Sequence, residues 1–581
     1  MVLRDLKINT LRGLLIVSSL GFTACVDNDY DLSKDIDMTV TIGGENLSIP
    51  GSNTDLITMD KILDLDPGSD VKADADGNYS LTMDGNGEPS TVNVEKVTIE
   101  SDNINTTPSA SSLSFEYAPD ADSEADVDDM SSFDVDKNDV TEDLTGLYHA
   151  TTTCSSTLNM SYSGSARRLH LARGFKVTFP EYLTVNCVND PRFTIDGNVL
   201  TFNQDVTINS GTTLKVPLTI DAIDFTKLDE GEGLVERGHL VMTGDIPVNG
   251  RAYLKADDFL SEEDVTLEMH TDMNLGDIEF TEVTATVDPQ IDITIDPVTI
   301  NNLPDCLKDD DVRIDMTDPK IYFNVTNGSP VPVNFTADML PYKEGRLLNT
   351  VAIGDKDGGT EPIIIPANVS DYTICLHRLE DGSGIEADDI ITVPDLNNLV
   401  ETIPDEIRTE NIVVKAIQEK VTLEPGKDYG LNTDYNVSAP LQFNSGTEII
   451  YTDSLDDWNG DIKDIDARLA EISLDAYNTI PLDMEMTADA IDVNGNVMSE
   501  ITATVTGGVN AGTAENPSTS KLTIRLESKA DGAMKRLDGI IYKIRATVPE
   551  DMQGKVLNEN QSLQLDNVVI SVKGGITIDM N

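Results

Sequence analysis

Short segments in which apolar and polar residues alternate recur along the whole chain. Clear examples are Thr39–Ile42, Lys176–Phe179, Ile291–Ile295 and Lys521–Leu526. A period of two places the apolar side chains on one face of a β-strand, and these segments are rich in β-branched residues. Gly, Asn, Asp and Pro bound them, as expected of turns. The pattern predicts an all-β protein made of tandem β-sandwich-like modules.

Helical periodicity is confined to short stretches. The candidates are Met59–Leu65, Pro394–Ile407, Ile465–Ile472 and Lys529–Leu537. Each is short for a helix that contributes a face to a core. We therefore expect a few short helices that connect strands.

A twelve-residue segment recurs once. Leu303–Ile314 matches Ile403–Val414, and most aligned positions are identical or similar in type. The match predicts equivalent places in two similar modules, each with a short turn or helix that leads into a strand. Because strand side chains alternate, the outer residues of Val312–Ile314 and Ile412–Val414 should face a core.

A shorter motif has proline followed by an apolar, a polar and an apolar residue. It occurs at Pro217, Pro332, Pro440 and Pro481, and an asparagine precedes the last three, at Asn327, Asn436 and Asn478. Proline lacks the N–H that a central strand needs, so it is typical of strand starts and edges. The motif predicts that each module opens an edge strand in this way.

Composition divides the chain further. Residues 116–143 are crowded with acids, which favours a linker or loop. A second flexible connection is predicted over 507–520. The predicted segments are a signal peptide (1–24), an N-terminal β unit (25–115), an acidic linker (116–147), and β modules at 148–285, 286–395 (first repeat) and 396–581 (second repeat and C-terminal strands).

The first residues carry export information. Arg4, Lys7 and Arg12 precede an apolar run over Leu14–Phe22, and Phe22-Thr23-Ala24-Cys25 follows. This pattern is typical of a signal peptide that ends in a lipobox, with Cys25 acylated as the mature N-terminus. An ordinary secretory cleavage fits poorly because Phe22 would lie at −3. A membrane span would need about 20 apolar residues.

The net charge is −64, from 104 acids and 40 Lys and Arg. Such a surface repels nucleic acid and anionic head groups, so we expect no nucleic-acid partner. Only one tryptophan is present. This scarcity argues against a site that stacks sugars on aromatic faces.

Four cysteines remain besides Cys25. In an exported protein they could pair as Cys154–Cys187 and Cys306–Cys375, each pair within one module, or remain buried free thiols. The sequence leaves both possibilities open.

Catalytic motifs are scarce. The five histidines lack metal-ligand spacing, and Ser518-Thr519-Ser520-Lys521 lacks the supporting elements of a serine nucleophile. We therefore expect no enzyme. Three acidic segments resemble the start of a calcium loop. Two of them are Asp134–Asn138 and Asp355–Gly359, and the third contains Asp74.

The calcium hypothesis centres on Asp74, Asp76 and Asn78. These residues match the first positions of a calcium loop, but Gly85 stands where the loop needs glutamate. A hairpin turn with Gly77 at positive φ explains the same residues, and Tyr79–Met83 would be the returning strand. The turn is the favoured interpretation, with Ca²⁺ as the possible cofactor.

The stretch Cys25-Val26-Asp27-Asn28-Asp29-Tyr30-Asp31 and the following Ile49–Ser52 and Asp76–Tyr79 resemble uncharacterised outer-membrane lipoproteins of Bacteroidetes. The resemblance covers about the first 85 residues and implies a lipid anchor in the outer membrane. The acids after Cys25 resemble the signal that exports such lipoproteins to the cell surface. Separately, Asp318–Asn327 with Pro332-Val333 resembles the β-sandwich of late-embryogenesis-abundant type proteins.

These observations favour a surface-exposed outer-membrane lipoprotein with a non-catalytic binding, adhesion or structural role. Its partners would be the membrane, through the lipid, and an unidentified protein or surface ligand. Alternatives are a fimbria-related subunit and a carrier of lipid or another small apolar ligand. Fimbrial subunits of the kind that resemble this chain are trimmed after an arginine downstream of the cysteine, and the first arginine after Cys25 is Arg167, so that route fits poorly. An envelope hydrolase is the weakest alternative.

Overall fold

The structure is a computed structural model of the whole chain. It describes residues 39–42, 46–50, 56–65, 67–188, 190–301, 303–308, 311–355, 361–463 and 465–579. The alternating segments form strands, and the predicted all-β class is confirmed. Six sheets pair into three β-sandwich units, which we call the terminal, middle and far units.

The chain passes through the terminal, middle and far units in that order and then returns through the middle unit to the terminal unit. The outgoing segment adds three strands to the terminal unit, β1 (Thr39–Ile42), β2 (Asn46–Pro50) and β3 (Ile57–Thr58). It then adds three strands to the middle unit, β4 (Val71–Ala73), β5 (Tyr79–Asn86) and β6 (Ser90–Val92). After these it enters the far unit.

The far unit consists of two nine-stranded sheets. Its strands are β7 (Thr98–Ile99), β8 (Ile104–Thr107), β9 (Ser109–Phe115), β10 (Ser123–Lys137), β11 (Leu144–Thr153), β12 (Ser155–Ser163), β13 (Arg168–Leu171), β14 (Lys176–Thr178), β15 (Leu183–Cys187), β16 (Phe193–Asp196), β17 (Val199–Phe202), β18 (Val206–Asn209), β19 (Leu214–Asp224), β20 (Gly233–Glu236), β21 (His239–Leu254), β22 (Val265–Leu275) and β23 (Ile278–Val287).

The returning chain completes the middle unit, whose sheets have six and seven strands. Its further strands are β24 (Val298–Thr299), β25 (Lys320–Asn327), β26 (Val333–Lys343), β27 (Arg346–Leu347), β28 (Val351–Ile353), β29 (Ile363–Ile365), β30 (Val369–His377), β31 (Asp389–Thr392), β32 (Glu406–Ala416) and, after the intervening β33 (Val421–Leu423), β34 (Tyr429–Pro440). Strand β33 belongs to the far unit, because it pairs with β23.

The terminal unit closes the chain with a seven-stranded and a three-stranded sheet. Its strands are β35 (Glu448–Leu455), β36 (Ile465–Asn478), β37 (Asp483–Asp492), β38 (Ile501–Gly507), β39 (Ser518–Ser528), β40 (Leu537–Thr547) and β41 (Ser562–Asp579). One edge of β41 is covered by the outgoing strands, from Thr39 opposite Asp579 to Thr58 opposite Ser562.

Helices are few and short. The α-helices are α1 (Met59–Leu63), α2 (Asp305–Lys308) and α3 (Asn459–Ile462). The first confirms the helix predicted at Met59–Leu65. Only 3₁₀ turns occur within the predicted helices at 394–407 and 529–537, at Leu396–Leu399 and Met534–Arg536. The helix predicted at 465–472 is wrong, because these residues pair with β41 as part of β36.

The predicted acidic linker is also wrong over most of its length. Residues Ser123–Lys137 form β10, which pairs without a break along fifteen residues of β21. Its inward positions include the buried Val127, Phe133 and Val135, whereas Glu124, Asp126, Asp128 and Asp136 are exposed. Charge density therefore did not prevent a strand, since the acids occupy the solvent face.

The predicted N-terminal β unit at 25–115 does not form a unit of its own. Its described strands are shared among the terminal, middle and far units, through pairings such as β1 with β41, β5 with β34 and β9 with β22. The outgoing segment thus connects all three sandwiches.

The twelve-residue repeat does not mark equivalent positions. Residues 305–308 form α2, and Arg313 makes only an isolated bridge to Glu448, whereas 406–414 lie in β32, which runs beside β26. Val312 and Ile314 are buried as predicted, but Ile412 is only partly buried. The match is a local similarity between two different structures.

At two of its four places, Pro332 and Pro481, the proline motif follows a corner that a buried asparagine holds. Asn327 ends β25 and Asn478 ends β36, and both side chains are completely buried. Asn327 Nδ2 donates to the carbonyls of Val331 and Pro366, and Asn478 Nδ2 donates to those of Ile480 and Asn510. Each asparagine therefore fixes the corner where the chain crosses to the opposite sheet.

The other two prolines do not open strands. Pro217 lies inside β19 and Pro440 ends β34. Asn436 lies within β34, where its amide donates to Asp84. The edge-strand prediction is wrong at these positions.

Candidate functional site

The residues of the proposed calcium loop form a hairpin turn. Asp74 Oδ1 accepts the N–H groups of Asp76 (2.8 Å) and Asn78 (2.9 Å), and Oδ2 accepts the Asn78 amide (3.2 Å). The Asn78 N–H is the main cause that lowers the pKa of Asp74 below its ordinary value. Gly77 has φ +80° and β5 follows as the returning strand, so the favoured interpretation as a turn is confirmed.

The same turn occurs in the terminal unit. Asp492 Oδ1 accepts the N–H groups of Asn494 (2.9 Å) and Asn496 (3.0 Å), and Gly495 has φ +75°. In both places the carboxylate that would serve as a calcium ligand instead accepts backbone N–H groups of its own turn. Of the other acidic loops, 134–137 lie in β10, and 356–360 lie outside the described residues.

Cys25 also lies outside the described residues, and the other four cysteines are free thiols. Cys154 directly precedes β12 and Cys187 ends β15, and these strands flank β19 on opposite sides. Two strand spacings amount to about 10 Å, which exceeds the reach of a disulfide. The predicted Cys154–Cys187 pair therefore does not fit this fold.

The second predicted pair, Cys306–Cys375, does not form a disulfide either. Cys306 lies in α2, and Cys375 is buried in β30. Burial raises the pKa of Cys154 and that of Cys375 to about 11. Both are therefore protonated, unreactive thiols near neutral pH.

The far unit contains a partly buried ionic cluster that we call the His170 cluster. Three of its members lie side by side on one face of the sheet, because His170 in β13 is opposite Thr207 in β18 and Tyr253 in β21. The others are Arg168, two residues before His170 on the same strand, and Asp258 in the 3₁₀ turn that follows β21.

Asp258 is the centre of the cluster and is fully buried. Its carboxylate accepts hydrogen bonds from Arg168 Nε (2.6 Å) and the Lys255 N–H (3.0 Å), and faces His170 Nε2 at 2.9 Å. Burial alone would raise the pKa of Asp258. The hydrogen bonds from Lys255, Arg168 and His170 outweigh burial, so the pKa lies below its ordinary value.

His170 connects this carboxylate to a hydroxyl group. Its Nδ1 lies 2.8 Å from Thr207 Oγ1, and its ring stacks on Tyr253 with centroids 4.8 Å apart. Tyr253 in turn donates its hydroxyl to Asp205 (2.9 Å). The buried carboxylate of Asp258 and both ring nitrogens of His170 thus have partners, as buried polar groups require, whereas Asp205 and Thr207 are exposed.

The groups are those of a hydrolytic triad, but the geometry differs. In such triads Nε2 faces the hydroxyl and Nδ1 faces the carboxylate. Here the two nitrogens are exchanged, and a guanidinium also pairs with the carboxylate. The arrangement is suited to hold the turn at 255–258 against the sheet.

The cluster lies at the end of the far unit that is remote from the middle unit. The opposite end is joined to the middle unit, where β33 pairs with β23 and Gln418 donates to the Val287 carbonyl. The β10–β21 ladder extends from the Lys137–Leu240 pair, near that junction, to the Ser123–Leu254 pair, beside Tyr253. Fifteen residues of strand span about 50 Å.

A sequence signal for this region exists and was missed. Residues 144–180 contain no Asp or Glu, although acids make up 104 of 581 residues. Arg167, Arg168, Arg173 and Lys176 lie within this stretch. Arg167 and Arg173 are exposed at the remote end of the far unit, where neighbouring segments contribute exposed acids such as Glu262, Glu263 and Asp264.

An enclosed apolar cavity lies between the sheets of the middle unit. Its lining includes Ile321, Phe323, Met339 and Leu396, and its volume is about 20 Å³. That is room for about one water molecule. An open polar cleft of about 440 Å³ lies where the far and middle units meet, beside the Arg237–Asp288 ion pair.

Within the described ranges, no helix is long and apolar enough to cross a membrane. The same ranges contain no group of three or more His, Cys, Asp or Glu side chains placed to hold a metal ion.

No protein-family model and no curated protein matches the sequence. Among solved structures, the chain is similar to a "putative secreted protein" from Parabacteroides distasonis, with 16% identity and a TM-score of 0.35 over 51% of this chain and 83% of that one. An archaeal virus protein with a triple jelly roll fold matches at 10% identity and a TM-score of 0.10, over 81% and 91% of the two chains.

Proposed function

We propose that this protein is a lipoprotein of the outer membrane, anchored through Cys25, exposed at the cell surface and used for non-catalytic binding or adhesion. The Phe22-Thr23-Ala24-Cys25 segment supports the anchor, and the acids at 27, 29 and 31 support surface export. Several acyl chains on one cysteine give stable membrane attachment.

The path of the chain is the observation that supports this proposal most. Strand β1 starts at Thr39, opposite Asp579, at the end of the terminal unit. The middle unit contacts both other units, through the Arg313–Glu448 bridge on one side and β33 with β23 on the other. An anchor that precedes β1 would therefore hold the terminal unit at the membrane and the far unit outward.

Binding would then fall to the remote end of the far unit. That end has an exposed apolar residue, Leu260, and the exposed arginines Arg167 and Arg173. The His170 cluster fixes the backbone beneath them. Exposed acids, Glu262, Glu263 and Asp264, lie beside Leu260, so this rigid surface combines apolar and charged groups and suits a protein or another surface ligand.

The carrier alternative gains no support from the middle unit. A lipid tail needs a long apolar cavity, and the enclosed space there has a volume of only about 20 Å³. A drug-sized ligand typically occupies about 300 Å³ or more.

The proposal is tested by cell fractionation and protease shaving. Cys25→Ala should abolish acylation and release the protein from membranes without detergent, whereas Cys187→Ala, a control thiol in the far unit, should leave it membrane-bound. Protease added to intact cells should remove the wild-type protein. Membrane retention of Cys25→Ala would refute the anchor, and full protection from protease would refute surface exposure.

A further inference from the structure

A hairpin in the terminal unit exposes two apolar side chains together. The turn between β37 and β38 contains Val493 and Val497, which are 61% and 62% exposed. These are the highest values among the large apolar side chains described as exposed in this chain. The turn geometry fixed by Asp492 and Gly495 holds both on one rigid loop.

The hairpin tip is also uncharged, which is unusual in a chain of net charge −64. Residues 493–499 contain no Asp, Glu, Lys or Arg. The flanking acids are occupied, because Asp492 binds the turn's own N–H groups and Glu500 pairs with Arg536 at 3.0 Å. The tip itself therefore carries no charged side chain that would have to leave water on contact with lipid.

The hairpin lies at the same end of the terminal unit as the start of the described chain. In the larger sheet, Lys573 is opposite both Asn46 and Leu469, Leu469 is opposite Glu527, and Glu527 is opposite Thr502. The start of β38 therefore lies in the same transverse row as the start of β2. The turn at 493–500 leads directly into that start.

We propose that the 493–497 hairpin rests on the lipid surface of the membrane that holds the anchor. This inference rests on the proposed acylation of Cys25. Residues 26–38 separate the anchor from Thr39 and reach at most about 50 Å when extended, so the anchor keeps Thr39 within that distance of the bilayer. Apolar side chains at the head-group boundary are stabilised by removal from water.

Neighbouring turns fit a shallow contact. Lys529, Lys535 and Arg536 lie in the turn before β40, and the one tryptophan, Trp458, precedes α3 at the same end. Gly532 N–H donates to Asp466 and so fixes that turn to the start of β36. Asp457 and Asp531 are exposed beside them, which limits contact to the hairpin tip.

Quenching by brominated lipid tests the contact directly. The full acylated protein is reconstituted into phosphatidylcholine vesicles with bromine on the upper acyl chain. Two single-tryptophan variants are compared, each with Trp458→Phe: Val493→Trp in the hairpin and Leu260→Trp at the remote end of the far unit. Both sites are exposed turns, and flotation with the vesicles and thermal unfolding are measured for each.

The proposal expects brominated lipid to roughly halve the emission of Val493→Trp and to leave Leu260→Trp nearly unchanged. Val497→Trp is a second probe if the first variant folds poorly. Variants that float with the vesicles but show no quenching at 493 or 497 would overturn the proposal. Failure to float would instead refute the anchor, so the two outcomes are separate.

Discussion

At the scale of single residues, Asp258 shows how a charge is tolerated in the far unit. It is fully buried, yet Arg168, His170 and the Lys255 N–H satisfy its oxygens. Removing one partner of a buried pair costs more than the pair itself contributes, because the other groups lose their partner.

We expect Asp258→Ala to destabilise the far unit by about 3 kcal/mol. Calorimetry should resolve its transition, since a protein with three units need not unfold in one step. Asp257→Ala, which removes the exposed neighbouring carboxylate, should change stability by less than about 0.5 kcal/mol. Equal effects of the two substitutions would contradict this role of Asp258.

The same residue predicts a pH dependence. The folded pKa of Asp258 is lowered, so its contribution is complete above the unfolded value of about 3.9 and is lost as pH falls through the folded value. The stability difference between wild type and Asp258→Asn should therefore shrink in acid. A difference that is constant down to the lowest pH at which both fold would contradict the assignment.

The buried corner asparagines make a second residue-scale prediction. In Asn478→Ala the carbonyls of Ile480 and Asn510 and the Ile480 N–H lose their partner, at a cost of about 2 kcal/mol. Trp458 lies in the terminal unit, so its fluorescence during denaturation reports that unit. Asn494→Ala, at an exposed position, is the control. We expect no measurable effect from it.

At the scale of elements, β10 shows what charge counting misses. Its acids face solvent, and several have partners across the strand: Arg251 binds Glu124 (2.9 Å) and His239 binds Asp136 (2.8 Å). The buried Val127, Phe133 and Val135 alternate with these acids, and this alternation was present in the sequence. Periodicity was the better guide, because the side of the strand decides whether a charge is costly.

Phe133 has the largest apolar side chain among the buried residues of β10. Its ring covers Gly244 on the opposite strand, where an added Cβ would lie 2.4 Å from the ring. Phe133→Ala should cost about 3–5 kcal/mol and speed hydrogen exchange over 123–137. Asp126→Ala, on the exposed face of the same strand, should leave exchange unchanged. Protection that survives Phe133→Ala would show that the strand does not depend on this contact.

The errors among the predicted helices have a related cause. Ile465–Ile472 offers apolar residues at both helical and strand spacings, so local sequence does not decide between them. The decision comes from β41, which pairs with the segment from about 100 residues further along the chain. By contrast, the helix predicted at Met59–Leu65 is present over Met59–Leu63. The side chain of Lys61 makes a local contact there, because it donates to the Leu56 carbonyl.

At the scale of the whole molecule, the strand content was predictable and the arrangement was not. Alternation identifies strands, but nothing local indicates that Thr39 lies opposite Asp579 or that Asp84 lies beside Asn436. The His170 cluster was likewise hidden, since Asp258 is 88 residues from His170 and nothing in its neighbourhood identifies the partner. The absence of acids over 144–180 was the one visible signal.

The path of the chain also bears on the proposed anchor. Strands β1 and β2 run along β41, and β41 is bonded on its other edge to β36. A pull on an anchor that precedes β1 would act along these strands and load many hydrogen bonds at once. The outgoing segment then continues through the middle unit before it reaches the far unit.

The central claim is that the terminal unit lies at the membrane and the far unit lies outward. Energy transfer to an acceptor dye in the bilayer measures this order, with a donor placed at position 493 or 260 of the acylated protein in vesicles. The structure predicts strong transfer from 493 and weak transfer from 260, and none from either in Cys25→Ala. Equal transfer from both positions, or stronger transfer from 260, would contradict the account.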